Sequence, residues 1–180
     1  MPHTQSLSTQ ALVTEAEFLA LPESTRRVEL IDGEVVMPPS PSFWHQEVLG
    51  RLVSTLRSWA KGRDVTVVQA PLDVRFGPDR ILQPDAMVFL SALDREVSTP
   101  IDSIPELCVE VLSTHRAYDR VTKRFIYAEA GVQEYWIVDA GRGVERRDGP
   151  GLARIEVVTN ELTTPLLPDL VVDVPALLGG

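Results

Sequence analysis

The chain is short of cysteine, of lysine and of long apolar runs, and each shortage excludes something. Among its 180 residues Cys108 is the single cysteine, which excludes an internal disulfide and any cysteine-based zinc cluster. No apolar run approaches the ~18–20 residues that a membrane helix needs. Residues 1–10 are polar and lack the basic and apolar regions of a signal peptide, so a cytoplasmic protein with no membrane partner is expected. Bases are outnumbered, 17 against 26 acids, for a net charge of −9. Proteins that coat nucleic acid neutralise phosphates with surplus Lys and Arg, and this composition excludes that class. There is no Gly-rich phosphate loop, no His-rich zinc motif and no Gly-x-Ser-x-Gly elbow. Of the bases only Lys61 and Lys123 are lysines, so each merits separate scrutiny.

What is present is ordinary for a globular domain: 44% hydrophobic and 24% charged residues, enough to bury a core. The length predicts one domain, taken as residues 12–180 behind a flexible tail over 1–11. Thr14 followed by Glu17 is a capping box that opens a short helix over 15–21, stopped by Pro22. Residues 27–31 and 34–37 flank Asp32-Gly33, the strongest short hairpin signal. After the Pro-rich stretch 38–42, apolar residues at Trp44, Val48, Leu49, Leu52, Val53, Leu56 and Trp59 follow a helical rhythm over 43–61. Residues 65–69 and 72–76 read as two strands or one interrupted strand. Strands are expected over 85–90, 107–112, 134–138, 144–147 and 154–158, with a polar loop over 91–105 and a helix over 116–130. The apolar tail 165–180 reads as a last strand and a short helix. Strands, then a helical crossover into another strand, predict an α/β domain with a mixed sheet flanked by helices.

Two carboxylates sit where apolar residues belong. Glu110 lies in the middle of Leu107-Cys108-Val109-Glu110-Val111-Leu112, a strand apolar on both faces and hence central in a covered sheet. A carboxylate there is costly unless a cation or a hydrogen-bond donor meets it. Asp85 opens the apolar run Ala86-Met87-Val88-Phe89-Leu90 after Gln83-Pro84. Taken singly, Asp85 reads as a strand-start residue and Glu110 as half of a buried salt bridge. Taken together, two acids on neighbouring strands can share a divalent cation, which polarises a phosphoryl oxygen and lowers the pKa of bound water. In the helix that follows, Val121, Phe125 and Ala128 form the apolar stripe. Arg116, Lys123 and Tyr127 fall on the opposite side, within about 40° of one another, with Arg120 close by. A solvated basic face explains such a stripe equally well.

An ordered set of short motifs carries a family resemblance. It consists of Glu29-Leu30-Ile31-Asp32-Gly33-Glu34, Pro41 with His45, Gln83-Pro84-Asp85-Ala86, Val109-Glu110-Val111-Leu112-Ser113, Asp119 with Lys123 and Tyr127, and Gly131-Val132-Gln133-Glu134-Tyr135-Trp136. In these the chain, over roughly residues 12–175, resembles the Uma2 family of restriction-like endonucleases, a branch of the PD-(D/E)XK nuclease superfamily. The resemblance implies a restriction-endonuclease-like fold. It also implies Pro84-Asp85 as the PD element and Glu110 as the acid of the E-x-K element. The lysine expected at position 112 is Leu112 here, and the resemblance points to Lys123 in its place.

The implied activity is endonucleolytic hydrolysis of DNA. Asp85 and Glu110 would bind Mg²⁺ or Mn²⁺, and Lys123 would orient water and stabilise transition-state charge. Glu29, His45, Gln83 and Tyr127 are possible supporting residues. Glu29 reads equally well as a hairpin residue paired with Arg26 or Arg27, and His45 as a structural histidine. Arg57, Lys61, Arg116 and Arg120 are candidate nucleic-acid contacts. Residues 51–63 hold four bases and no acid, and residues 112–130 four bases and two acids, so the acidity is concentrated elsewhere. A rival reading keeps the fold without catalysis, as a binding or regulatory protein. A homodimer is expected in either case, through the apolar tail or the strands after Gly141, because a duplex cut on both strands suits two-fold symmetry.

Overall fold

Residues 12–22, 26–94, 96–112 and 117–180 are described by the structure, a computed structural model. The expected tail over 1–11 lies outside them. In chain order the elements are α1 (Glu15–Leu19), β1 (Glu29–Ile31), β2 (Glu34–Val36), α2 (Phe43–Ala60), β3 (Thr66–Gln69), β4 (Val74–Gly77), β5 (Arg80–Leu82) and β6 (Ala86–Phe89). After these come β7 (Leu107–Val111), α3 (Ala117–Ala130), β8 (Glu134–Asp139), β9 (Gly143–Asp148), β10 (Arg154–Val158), β11 (Glu161–Leu162), β12 (Val172–Asp173) and α4 (Val174–Leu178). Local chemistry places many of the boundaries. Thr14 and Glu17 cap α1 reciprocally. The Ser42 hydroxyl accepts from the His45 amide and opens α2. Asp32 and Gly33 turn the β1–β2 hairpin with φ of 51° and 83°, the paired positive values that a tight hairpin needs and that glycine adopts without penalty.

Three sheets result. The largest has six strands in the order β10-β9-β8-β7-β6-β3. Its β7–β8 pair is parallel, joined through α3, and its other pairs are antiparallel. A four-stranded antiparallel sheet, β2-β1-β5-β4, carries the N-terminal hairpin, and β11 pairs with β12. The mixed sheet flanked by helices is thus observed, with a second sheet beside it. Residues 65–76 are two strands, and they part company: β3 joins β6 in the large sheet, and β4 joins β5 in the small one. The hydrophobic pattern does not announce β5, because three residues are too few to display a period.

Each face of the large sheet has its own core. Leu52 and Leu56 of α2 pack on one face with Val109, Trp136 and the tail residues Leu167 and Val172. Ile126 and Tyr127 of α3 pack on the other with Met87, Cys108, Tyr135 and Phe76. Every residue of β7 is buried. Within loop 91–105, Ile101 is anchored to β4 through bonds between its backbone and Asp73 and Arg75. The tail is spent on this chain's own core: Leu167, Leu170, Val172, Val174 and Leu177 are buried, while Val171 is exposed. No helix among the described residues is long and apolar enough to cross a membrane.

The orientation of α3 differs from the hydrophobic reading. Val121 and Phe125 are 59% and 52% exposed, whereas Lys123 and Tyr127 are fully buried. Val121 and Phe125 of the supposed apolar stripe face outward, Ala128 is partly packed against the core, and the lysine face turns in. The cause lies across the interface. The sheet presents Glu110 on that face, and a buried carboxylate demands donors more than it demands methyl groups.

Candidate active site

Asp85 immediately precedes β6, and Glu110 is the fourth residue of β7. Because Ala86 pairs with Val109, the two acids stand side by side at one end of adjacent strands, both nearly inaccessible. The Val111 amide donates to Asp85 Oδ2 at 2.8 Å, so the carboxylate is pinned by the neighbouring strand. From the opposite layer Lys123 and Tyr127, one helical turn apart on α3, converge on Glu110. Lys123 Nζ lies 2.9 Å from Glu110 Oε1, and Tyr127 Oη donates to the same oxygen at 2.8 Å. Tyr127 is itself wedged between Phe76 and Tyr135, with centroids 4.8 and 5.2 Å away, so its hydroxyl is aimed by rigid aromatic packing.

Glu29, at the start of β1, brings the small sheet into this cluster. Its Oε1 accepts from the Gln83 amide at 2.9 Å and lies 3.2 Å from Lys123 Nζ. It is buried rather than a surface hairpin residue, and it is also paired with Arg27 at 2.9 Å. The Gln83 side chain donates to Asp73 at 2.8 Å, and its buried carbonyl oxygen has no partner. His45, in the first turn of α2, is buried with Nε2 3.6 Å from Asp85 Oδ2. A cleft of about 410 Å³ ends on this cluster, bounded by the Pro-rich loop 38–41 and lined among others by Arg27, His45, Gln83 and Asp85.

Sequence reasoning raised Arg27 only as a partner for Glu29. Its guanidinium reaches Asp85 Oδ1 at 2.7 Å as well as Glu29, and it lies 3.9 Å from Glu110 Oε2. Charge counting supplies a signal for it. Three buried carboxylates need more than one lysine, and Arg27 shares a strand-like alternation with Glu29.

The electrostatics follow from this crowding. Burial pushes the Glu110 carboxyl up, and the nearby acids Asp85 and Glu29 add to it. Lys123 and Arg27 offset only part of this, and its pKa stands at about 7 against an ordinary 4.5. Burial also acts to raise Glu29, but Lys123 and Arg27 outweigh it and hold Glu29 below its ordinary value. Burial acts to lower Lys123, yet Glu110 and Glu29 on either side keep it raised and charged. The Tyr127 hydroxyl is pushed well up by burial and by Glu110, so it remains a donor.

Asp85, Glu110, Lys123, Glu29, His45, Gln83 and Tyr127 thus meet around one end of the sheet. Arg57 and Lys61 do not. They line a groove between α2 and β3, about 18 and 24 Å along the helix from His45 at 1.5 Å per residue. Arg116 and the side chain of Arg120 lie outside the described residues. Leu112, where the superfamily lysine is expected, is a partly buried residue at the edge of the α3-side core. The donors that Asp85, at the cleft, and its neighbour Glu110 offer are carboxylate oxygens, the chemistry that Mg²⁺ and Mn²⁺ prefer. Among the described residues no three His, Cys, Asp or Glu side chains are arranged to hold an ion by themselves. Two carboxylates completed by water and substrate phosphate remain an ordinary magnesium donor set.

The chain matches the model of one protein family, Uma2, described as "Putative restriction endonuclease", over residues 15–175. A solved structure is also similar, a "putative nuclease belonging to DUF820" from Anabaena variabilis. It shares 26% identity over 92% of this chain and 97% of that one, with a TM-score of 0.79. No curated protein matches the chain. With the family's model spanning nearly all of its described fold, the chain belongs to the Uma2 family.

Proposed function

We propose that this protein is a divalent-metal-dependent endonuclease that hydrolyses phosphodiester bonds in DNA at the cluster of Asp85, Glu110 and Lys123. The observation that carries the reading is the approach of Lys123 to Glu110, 2.9 Å, from a different element than the one on which the superfamily motif places its lysine. Asp85 and Glu110 would hold the ion, Mg²⁺ or Mn²⁺, through Asp85 Oδ1 and Glu110 Oε2, the oxygens turned toward Arg27. When bound, the ion polarises the phosphodiester and makes water a better nucleophile. The Val111 amide keeps Asp85 oriented, and Tyr127 fixes the rotamer of Glu110. Lys123, held charged by two carboxylates, orients the attacking water and stabilises the negative charge that develops on the phosphoryl oxygens. His45 lines the cleft beside Asp85 and contacts the incoming phosphate. Arg57, Lys61, Arg116 and Arg120 guide the rest of the nucleic acid.

The reading places the protein in the cytoplasm and makes it a homodimer. The tail is consumed by the protomer's own core, so the surface that remains for pairing is β10. It is an edge strand with Ile155 and Val157 about half exposed, and light scattering that returns a strict monomer removes this part. The rival reading, a non-catalytic homologue of the same fold acting as a binding or regulatory dimer, draws on Arg27, which reaches both Asp85 and Glu110. The deciding measurement is cleavage of a panel of DNA substrates with Mg²⁺ or Mn²⁺ by wild type and by Asp85→Ala. Cleavage by wild type and none by the variant is expected. Equal activity in both refutes the assignment, and inactivity of both with retained DNA binding favours the rival.

A further inference from the structure

Each acid at the end of the sheet has one oxygen held by fixed donors and one that faces Arg27. Asp85 Oδ2 is taken by the Val111 amide at 2.8 Å, and Glu110 Oε1 by Lys123 and Tyr127. The remaining pair, Asp85 Oδ1 and Glu110 Oε2, faces the guanidinium of Arg27 at 2.7 and 3.9 Å. We infer that Arg27 is an internal stand-in for the divalent ion, covering the oxygens on which the ion would sit and swinging into the adjoining cleft when the ion binds. The inference rests on the metal-dependent reading above.

Charge balance favours exchange over coexistence. With Glu110 ionised, Glu29, Asp85 and Glu110 face two side-chain cations, Arg27 and Lys123, which leaves one negative charge unmatched. Replacing Arg27 by a doubly charged ion makes the cluster neutral, whereas keeping both buries a surplus positive charge, and an unmatched buried charge is costly. Arginine cannot relieve this by losing a proton, so it has to move. It is able to. Arg27 precedes β1 instead of lying within it, its side chain is 18% exposed, and it lines the cleft of about 410 Å³. Its Nε is buried with no hydrogen-bond partner, so its present seat is incompletely satisfied. Lys123, by contrast, is fully enclosed and stays in place. Once in the cleft, the planar fork of Arg27 is suited to grip a substrate phosphate.

The test is Mn²⁺ binding to the full chain, followed through the paramagnetic resonance of free Mn²⁺, in wild type and Arg27→Met. Removing the competitor is expected to tighten binding about tenfold, the gain when a site open about a tenth of the time becomes always open. Equal or weaker binding by the variant overturns the inference and leaves the metal-dependent reading standing, and no binding by either protein overturns both. Should Arg27→Met fail to fold, a Mg²⁺ titration of ¹⁵N-labelled wild type decides. The Arg27 Nε–H resonance, identified by its loss in Arg27→Lys, is expected to shift with the same midpoint as the Val111 amide. A Val111 shift without an Arg27 shift overturns the inference alone. No shift in either overturns the inference and the reading together.

Discussion

Glu110 and Glu134 stand on the paired strands β7 and β8, at opposite ends and on opposite faces of one sheet. Both are nearly inaccessible, yet their surroundings are built differently. Glu134 is closed in by fixed partners. The Thr164 hydroxyl and the Trp136 indole donate to its two oxygens, and Arg146 pairs with it at 3.3 Å. Arg146 is shared in turn with Asp148 and Glu156 on β9 and β10. These partners come from the strands themselves and from the tail that caps them. Glu110 shares its partners with Glu29 and Asp85, carries a raised pKa, and turns one of its oxygens toward Arg27, which lines the adjoining cleft. A buried carboxylate is therefore not in itself a sign of chemistry. What distinguishes the two is the raised pKa of Glu110 and the cleft that reaches its neighbour Asp85.

The strongest way to break the comparison is to ask which cluster the activity needs. Lys123→Met and Glu110→Gln are each expected to lower DNA cleavage about 10³-fold, by removing transition-state stabilisation or an ion-holding oxygen. Rates within a few-fold of wild type would place the chemistry elsewhere. Next comes stability. Glu134→Ala leaves the Thr164 hydroxyl and the Trp136 indole without their acceptor and takes one of three carboxylates from Arg146, and is expected to cost about 3 kcal/mol in urea unfolding. The fraction that remains folded should cleave normally. A variant that keeps its stability and loses activity would reverse the roles assigned to the two clusters.

The third prediction concerns pH in the metal-free protein. Glu110 has a higher pKa folded, about 7, than its ordinary 4.5. The folded state therefore holds that proton more tightly, and the stability it contributes is complete below about 4.5 and lost as pH rises through about 7. Glu110→Gln, which keeps a neutral group there, should gain on wild type by about 2 kcal/mol between pH 5 and pH 8. Thermal unfolding across that range checks it, and a constant difference between the two proteins contradicts it. Smaller again is Tyr127→Phe. It keeps the packing against Phe76 and Tyr135 and removes one hydrogen bond, for about 1 kcal/mol of stability and a modest fall in cleavage rate. The smallest effect is expected at Val121→Ser, within about 0.5 kcal/mol of wild type because its side chain faces water. A large loss there would mean that α3 packs by its hydrophobic stripe after all.

Much of the site was legible in residue order. Carboxylates at positions 85 and 110 stand out because an apolar strand has no ordinary use for them, and the scarcity of lysine singled out Lys123. The helical period of α2, the Asp32-Gly33 turn and the Thr14–Glu17 box are local rules, which sequence carries in full. Burial of Glu29, Gln83 and His45 was not legible, because each depends on a sheet or helix distant in the chain. Neither was the position of Arg27, which depends on how the small sheet stands against the large one.

The residue sequence alone thus determined the longer elements, the two misplaced acids, the candidate lysine and the family, since each is written in periodicity, turn chemistry or short-range motif. Tertiary structure alone decided which face of α3 turns inward. A helical wheel ranks side chains by hydrophobicity and favoured Val121 and Phe125, but the opposing sheet carries Glu110, and the desolvation of that carboxylate outweighs the gain from burying two apolar side chains. It also decided that Arg27 rather than its neighbour Arg26 reaches Asp85 and Glu110, because charge complementarity acts across space, between strands distant in the chain.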